Sequence, residues 1–205
     1  MRKFKLLLED KKLLIFDFDG TIADTSPFHE QAFNETLKKF NVSFLYKNIA
    51  GLSSQDAFKK IFTKNKVIVS EGELLKLVQK KQKIARRLIS AYLEPSEGLL
   101  QFLLWAKSRF KLCIVSSGST KSIKNALNKL NFFHFFDEII CAEDVNFSKP
   151  NPEGFVKALD IFSVSSDDAL IFEDSSSGFI AAEAAGINYL DVNSFSWIDL
   201  YNKSK

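Results

Sequence analysis

The sequence predicts an α/β fold, a doubly wound parallel sheet interrupted early by a block of helices, and three observations carry that expectation. Short apolar runs bounded by turn residues recur at Leu13 to Phe18, Leu112 to Ser116, Glu138 to Ala142, Ala169 to Glu173 and Tyr189 to Val192. Helical patterns separate the later runs, the alternation that builds parallel strands. Between about Thr25 and Leu93 that alternation stops, and helical patterns follow one another with no convincing core strand.

The first run, Leu13-Leu14-Ile15-Phe16, reads as a buried strand and leads directly into Asp17-Phe18-Asp19-Gly20-Thr21. In a strand, residues i and i+2 point to the same side, so Asp17 and Asp19 can converge on one ligand while Gly20 lets the chain turn away. Two anions forced together need a cation. A hard divalent ion such as Mg²⁺ suits carboxylate and carbonyl oxygens, and a phosphate completes its coordination.

The helical patterns that follow cover Phe28 to Phe40, Ser54 to Phe62 and Glu71 to Tyr92 and read as a separate lobe. It leaves the sheet just after the Asp pair and returns near Glu94-Pro95-Ser96-Glu97-Gly98, so its two connections lie over the strand ends as hinges. A lobe tethered there can close on a substrate and exclude water. In the third helix the run Lys80-Lys81-Gln82-Lys83-Ile84-Ala85-Arg86-Arg87 turns Ile84, Ala85 and Leu88 inward and its cations toward water. Later helices are expected over Leu99 to Ser108, with Phe102, Leu103, Trp105 and Ala106 inward, then Lys121 to Leu130, Pro152 to Ile161 and Phe179 to Ala185, the last ended by Gly186. No element is predicted beyond Val192.

At 205 residues the chain is long enough for a core plus a small second lobe. A net charge of +3, with lysines spread along the sequence, leaves neither a nucleic-acid nor a membrane-surface footprint. The opening Met1 to Asp10 has a basic start, but its apolar stretch is too brief for a signal peptide. No run reaches the roughly 20 apolar residues of a membrane span. A cytoplasmic monomer is the expectation. Cys113 and Cys141 lie in strand patterns with no neighbouring Cys or paired His and read as small core hydrophobes.

In such sheets ligands bind at the carboxyl ends of the strands, and further polar signals fall there. Ser116-Ser117-Gly118-Ser119 precedes a helix, where a hydroxyl and backbone amides can hold phosphate oxygens; helix capping is the other use of such serines. Lys149, in Ser148-Lys149-Pro150-Asn151-Pro152, sits in a loop whose prolines limit its freedom. Glu173-Asp174-Ser175 places two acids beside the strand that bears Asp17, the second half of a metal site or an N-cap. Together the four signals describe a phosphoryl-transfer site.

Asp17-Phe18-Asp19-Gly20-Thr21, Ser116, Lys149 and Glu173-Asp174 resemble, in order and placement, the four motifs of the haloacid dehalogenase-like superfamily, and the Glu-Asp-Ser form of the last is similar to the branch of beta-phosphoglucomutase and sugar-phosphate phosphatases. The resemblance implies a Rossmann-like core over residues 1–24 and 94–205 and a helical cap over 25–93. It also implies roles. Asp17 is the nucleophile that forms an aspartyl-phosphate, and Asp19 the general acid and base. Ser116 and the amide of Ser117 hold the transferring phosphoryl group, with Lys149 cancelling charge. Mg²⁺ is held by Asp17, the Asp19 carbonyl, Asp174 and Glu173. Asp19 favours phosphoryl transfer over dehalogenation, because a halide leaves without a proton.

His29 and the stretch Gly51-Leu52-Ser53-Ser54-Gln55-Asp56 resemble the mutase's hinge and cap loop, and His29, Gly51 and Ser54 are candidate substrate contacts. The mutase has an arginine on the second phosphate where this chain has Ser54, and a lysine where it has Ala50. The loss of both cations favours a Mg²⁺-dependent phosphatase of small phosphorylated metabolites over a phosphomutase. A catalytically silent phosphate-binding or regulatory module is the alternative from another class. A receiver domain is disfavoured by the helical lobe and by Asp-x-Asp-Gly-Thr.

Overall fold

The computed structural model describes residues 7–204. Strands β1 (Leu13–Phe16), β2 (Lys111–Val115), β3 (Glu138–Ile140), β4 (Ala169–Glu173) and β5 (Tyr189–Asp191) form one sheet in the order β3-β2-β1-β4-β5. Every neighbouring pair is parallel. The helices are α1 (Ser26–Leu37), α2 (Ser54–Lys64), α3 (Glu71–Tyr92), α4 (Leu99–Lys107), α5 (Thr120–Leu130), α6 (Glu153–Phe162), α7 (Ser176–Ala184) and α8 (Trp197–Ser204).

The strands are apolar at successive positions because both faces of the sheet are covered. Leu14, Phe16, Ile114 and Phe172 pack with α4, α5 and α8. Leu13, Ile15, Val115 and Ile171 pack with α6 and α7. On the first face Phe16 stacks on Phe172 with ring centroids 4.9 Å apart, and Trp197 lies 5.1 Å from Phe172. Trp197 belongs to α8, which the sequence did not announce: eight residues are too few to display a helical period, and only packing reveals that Trp197 and Leu200 face the core.

The strands expected to reach Phe18, Ser116, Ala142 and Val192 stop one or two residues earlier. The chain leaves the ladder where polar groups are needed. At β1 the amide of Asp17 donates to the carbonyl of Phe172 at 2.9 Å, after which Thr21 and Ile22 bond back to Phe18 in a turn. The strand rule therefore does not govern Asp17 and Asp19, and their carboxylates find different partners. Cys113 and Cys141 are buried free thiols, and burial pushes the Cys141 thiol up to about 12.

Helices α1 to α3 enclose a hydrophobic cluster of their own, built on Phe33, Leu37, Phe58, Ile61, Phe62 and Leu77. The far end of α3 joins the sheet: Ile89 and Leu93 belong to the first core cluster, and Asn125 on α5 donates to Ser90 at 2.7 Å. The charge run on α3 divides. Lys80, Lys83 and Arg87 face water, whereas Lys81 is 5% exposed, against the expectation for that run. Among the described residues no helix is long and apolar enough to cross a membrane. The leader question posed by Met1 to Leu6 lies outside the described residues.

Candidate active site

The chain runs outward from β1 through β2 to β3 and then returns to the other side of β1, so strand order reverses at β1 and a crevice opens at the carboxyl ends. Asp17, Ser116 and Glu173 all reach that crevice, because β1 lies between β2 and β4. Lys149 arrives from the loop after β3, through a cis peptide to Pro150. Its ammonium donates to Asp17 Oδ1 at 2.6 Å and to Glu173 Oε1 at 2.8 Å. Glu173 is fully buried, and its second oxygen accepts from the amides of Asp174 and Ser175 at 2.6 and 2.8 Å. A Cβ on Gly178 would collide with the Glu173 carboxylate, so glycine there lets α7 lie against the acid.

Carboxylates outnumber cations here. Burial pushes Asp17 well above the usual carboxylate range; Lys149 opposes this, and Glu173, Asp174 and Asp19 add to it. Burial and Glu173 likewise push Asp174 up to about 7. Lys149 is held above its ordinary value because Asp17 and Glu173 outweigh the cost of its burial. Oxygens of Asp17, Glu173 and Asp174 lie within 4.8 Å of one another. That unbalanced oxygen set fits a hard divalent cation. Gly20 turns through a positive φ of 89°, and a Cβ there would collide with Asp174.

Asp19 belongs to a second chain of contacts that runs into the helical lobe. Thr25 Oγ1 donates to Asp19 Oδ1 at 2.5 Å, and His29 Nε2 lies 3.1 Å from the same oxygen. On the other side of the ring, Lys81 Nζ is 2.8 Å from His29 Nδ1 and 3.3 Å from Ser54 Oγ. An ammonium has only donors, so Nδ1 accepts and Nε2 carries the proton that His29 donates to Asp19. Burial and the charge of Lys81 lower the His29 pKa, consistent with that neutral tautomer. Burial would raise Asp19, but His29, Thr25 and Lys81 together bring it down to about 2. Burial lowers Lys81 to about 8, against the pull of Asp19.

The remaining candidates divide between structure and cavity. Ser116 is buried and its Oγ accepts from the Gly118 amide at 3.0 Å. Ser117 Oγ is buried with no protein partner, and Ser117 lines the central cavity. Ser119 and Ser175 also cap α5 and α7, the ordinary use of such serines. Gly51 turns through a φ of 75°, and a Cβ there would meet the hydroxyls of Ser175 and Ser177, so the lobe's loop sits directly on the core. His29, Gly51 and Ser54 line the same cavity as Asp17 and Asp19.

Sequence reasoning missed Thr25, Tyr46 and Lys81. The signal for Lys81 was present: Leu74, Leu77, Ala85 and Leu88 are buried at helical spacing, and position 81 falls in their stripe. Phe33 supplies a ring face 4.6 Å below its ammonium.

A parallel sheet with inserted helices and acids gathered at its switch point is the Rossmann-like architecture of a phosphate-handling enzyme class. Residues 14–192 match the model of the haloacid dehalogenase-like hydrolases, and the chain belongs to that family. A phosphorylated carbohydrates phosphatase of Thermotoga maritima is 28% identical over 178 residues, spanning 85% of this chain and 81% of the relative. The fructose-1-phosphate phosphatase YqaB of Escherichia coli is 28% identical over 180 residues, or 87% and 95% of the two chains. A crystal structure of beta-phosphoglucomutase from Clostridium difficile has the same fold, with a TM-score of 0.82 at 23% identity over 94% of this chain and 98% of that one.

Proposed function

We propose that the protein is a Mg²⁺-dependent phosphatase of small phosphorylated metabolites, sugar phosphates foremost, with residues 25–93 acting as a cap over the core. The observation that carries this reading is the buried Lys149 bonded to both Asp17 and Glu173 within a cluster still rich in negative charge. Asp17, Asp174, the Asp19 carbonyl and Glu173 would hold the cation. Bound there, it would neutralise phosphate oxygens and remove the repulsion between a phosphate and Asp17.

In this reading Asp17 attacks phosphorus in line, the P–O bond to the leaving group breaks, and an aspartyl-phosphate forms. Asp19, ionised while His29 and Thr25 donate to it, would take up a proton as the phosphate dianion enters beside it, pass that proton to the leaving oxygen, and then take one from the water that hydrolyses the acyl phosphate. His29 and Thr25 hold Asp19 for both steps. Ser116 and the Ser117 amide grip the phosphoryl oxygens as charge moves between them. Two relatives named as phosphatases of carbohydrate or fructose phosphates support the substrate class.

A mutase must hold a second phosphate. Lys81 restores one cation beside Ser54, but the start of α5 offers little more: the Thr120 amide and hydroxyl are bonded to Glu143 at 2.9 and 3.0 Å, and Ser119 caps Ser122. These contacts favour hydrolysis. Incubation with beta-glucose 1-phosphate and a bisphosphate activator is expected to release inorganic phosphate; hexose phosphate isomer without net phosphate would reverse the choice.

The direct test uses 4-nitrophenyl phosphate. Phosphate release is expected with Mg²⁺ and none with EDTA, and Mg²⁺ should also raise the melting temperature, because a cation bound only by the folded cluster stabilises it. Activity and melting both indifferent to chelation would remove the metal assignment. Lys81 supplies a pH signature. As pH rises through about 8 its ammonium is lost, so KM should climb between pH 7 and 9. Lys81→Met should flatten that rise and lift KM at pH 7 by about tenfold, the worth of one charged hydrogen bond. A variant that keeps the alkaline rise would assign it to another group.

A further inference from the structure

Tyr46 stands in the short turn between α1 and α2, where its carbonyl accepts from the amides of Ile49 and Ala50 at 2.9 and 3.0 Å. Those bonds pin its backbone to the loop that carries Gly51, and its half-buried ring packs against the lobe's own hydrophobic cluster. The ring is therefore held on both sides. It borders the central cavity together with Asp17, Asp19, His29 and Ser54. It also borders an outer cleft lined by Ser26, Glu30, Leu45, Lys47 and Ala50. Tyr46 alone among the described residues lines both. The inner cavity measures about 50 Å³ and the outer cleft about 520 Å³, so the ring stands between a narrow chamber and a wide cleft open to solvent.

We propose that Tyr46 is the partition that limits the leaving group, confining turnover to compact monophosphates of hexose size or smaller and closing off a cleft that would otherwise accept a second sugar ring. This rests on the phosphatase reading and adds its size limit. Two features of the site support the partition. Beside Tyr46 the chamber's lobe wall is apolar at Phe33, Ile49 and Leu52, while its polar His29, Ser54 and Lys81 are bonded to one another or to Asp19. The cleft beyond Tyr46 carries Ser26, Glu30 and Lys47, hydrogen-bonding groups that suit sugar hydroxyls. Burial and the nearby Asp19, Asp174, Asp24 and Asp17 hold the phenol well above its ordinary pKa, so it remains a neutral donor on the chamber side.

The experiment compares kcat/KM for a hexose phosphate and a disaccharide phosphate in wild type, Tyr46→Phe and Tyr46→Ala, with 4-nitrophenyl phosphate as the reference for intact chemistry. Tyr46→Phe keeps the ring and should leave the hexose-to-disaccharide preference within about twofold. Tyr46→Ala joins the two spaces and should shift that preference toward the disaccharide by about tenfold or more, the scale on which a pocket discriminates by size. An unchanged preference in Tyr46→Ala with normal turnover of the aryl ester overturns the proposal, and so does a shift of equal size in Tyr46→Phe, which would assign the effect to the hydroxyl. Tyr46→Val serves the same comparison if the alanine variant does not fold. Dissociation constants for the two sugar phosphates, measured by calorimetry, test the partition separately from chemistry: should no ester be hydrolysed by any form, the phosphatase reading falls while the binding preference still judges Tyr46.

Discussion

Asp17→Asn is expected to abolish phosphate release, by at least about four orders of magnitude in kcat, because an amide does not replace a carboxylate as nucleophile. The same substitution should leave the protein folded. Asp17 is buried among acids that push its proton affinity up, so exchanging its charge for a neutral amide relieves repulsion at the cost of one bond to Lys149. Its melting temperature is therefore expected to match or exceed that of the wild type in the absence of divalent cations. Adding Mg²⁺ should raise it less, because one carboxylate oxygen has left the cluster. A variant that turns over normally would take Asp17 out of the nucleophile's place; one that melts far below wild type would contradict the crowding of charge.

Lys149→Met should lose both turnover and stability. The lysine is the cation bonded to Asp17 and Glu173, each of them buried, and removing it leaves those carboxylates without their ammonium. Breaking a buried pair in this way costs about 3–5 kcal/mol, which in a chain of this size lowers the melting temperature by roughly 10 °C. The loss should depend on pH. Burial works against ionised Glu173, but Lys149 and the Ser175 and Asp174 amides hold its pKa down. The stability it contributes is therefore present above its ordinary pKa and lost as pH falls through the lowered value. Without the lysine the acids can take up protons instead, so the deficit measured by urea unfolding should be largest near neutrality and shrink toward pH 5. Equal urea midpoints for variant and wild type at pH 7 would show that the bridge contributes nothing to folding.

Much of this site was legible in the amino-acid sequence. The apolar runs behind Asp17, Ser116 and Glu173 marked them as strand ends, because a sheet covered on both faces leaves a polar residue no place inside its strands. Gly20 announced a turn and Gly186 a helix end, and both adopt positive φ. Lys149 and Asp17 lie 132 positions apart, and the resemblance of their motifs to a family put them at one site, but the bond between them came only with the fold. Helix α8 was not legible, since its meaning lies in where Trp197 lands rather than in its own eight residues.

The sequence by itself determined the alternation of strands and helices, the position of the acids at strand ends and the family to which the chain belongs, because each depends on local pattern or on short spaced motifs. Tertiary structure alone decided which side chains share a cavity. Lys81 reads as one solvated cation among several until α1 and α2 close over it and put His29, Ser54 and Phe33 around its ammonium. Tyr46 reads as an ordinary loop aromatic until the lobe folds onto the core and sets its ring between two spaces. Both depend on contacts between segments far apart in the chain, and a periodic pattern reports only which face a residue occupies, not what it meets there.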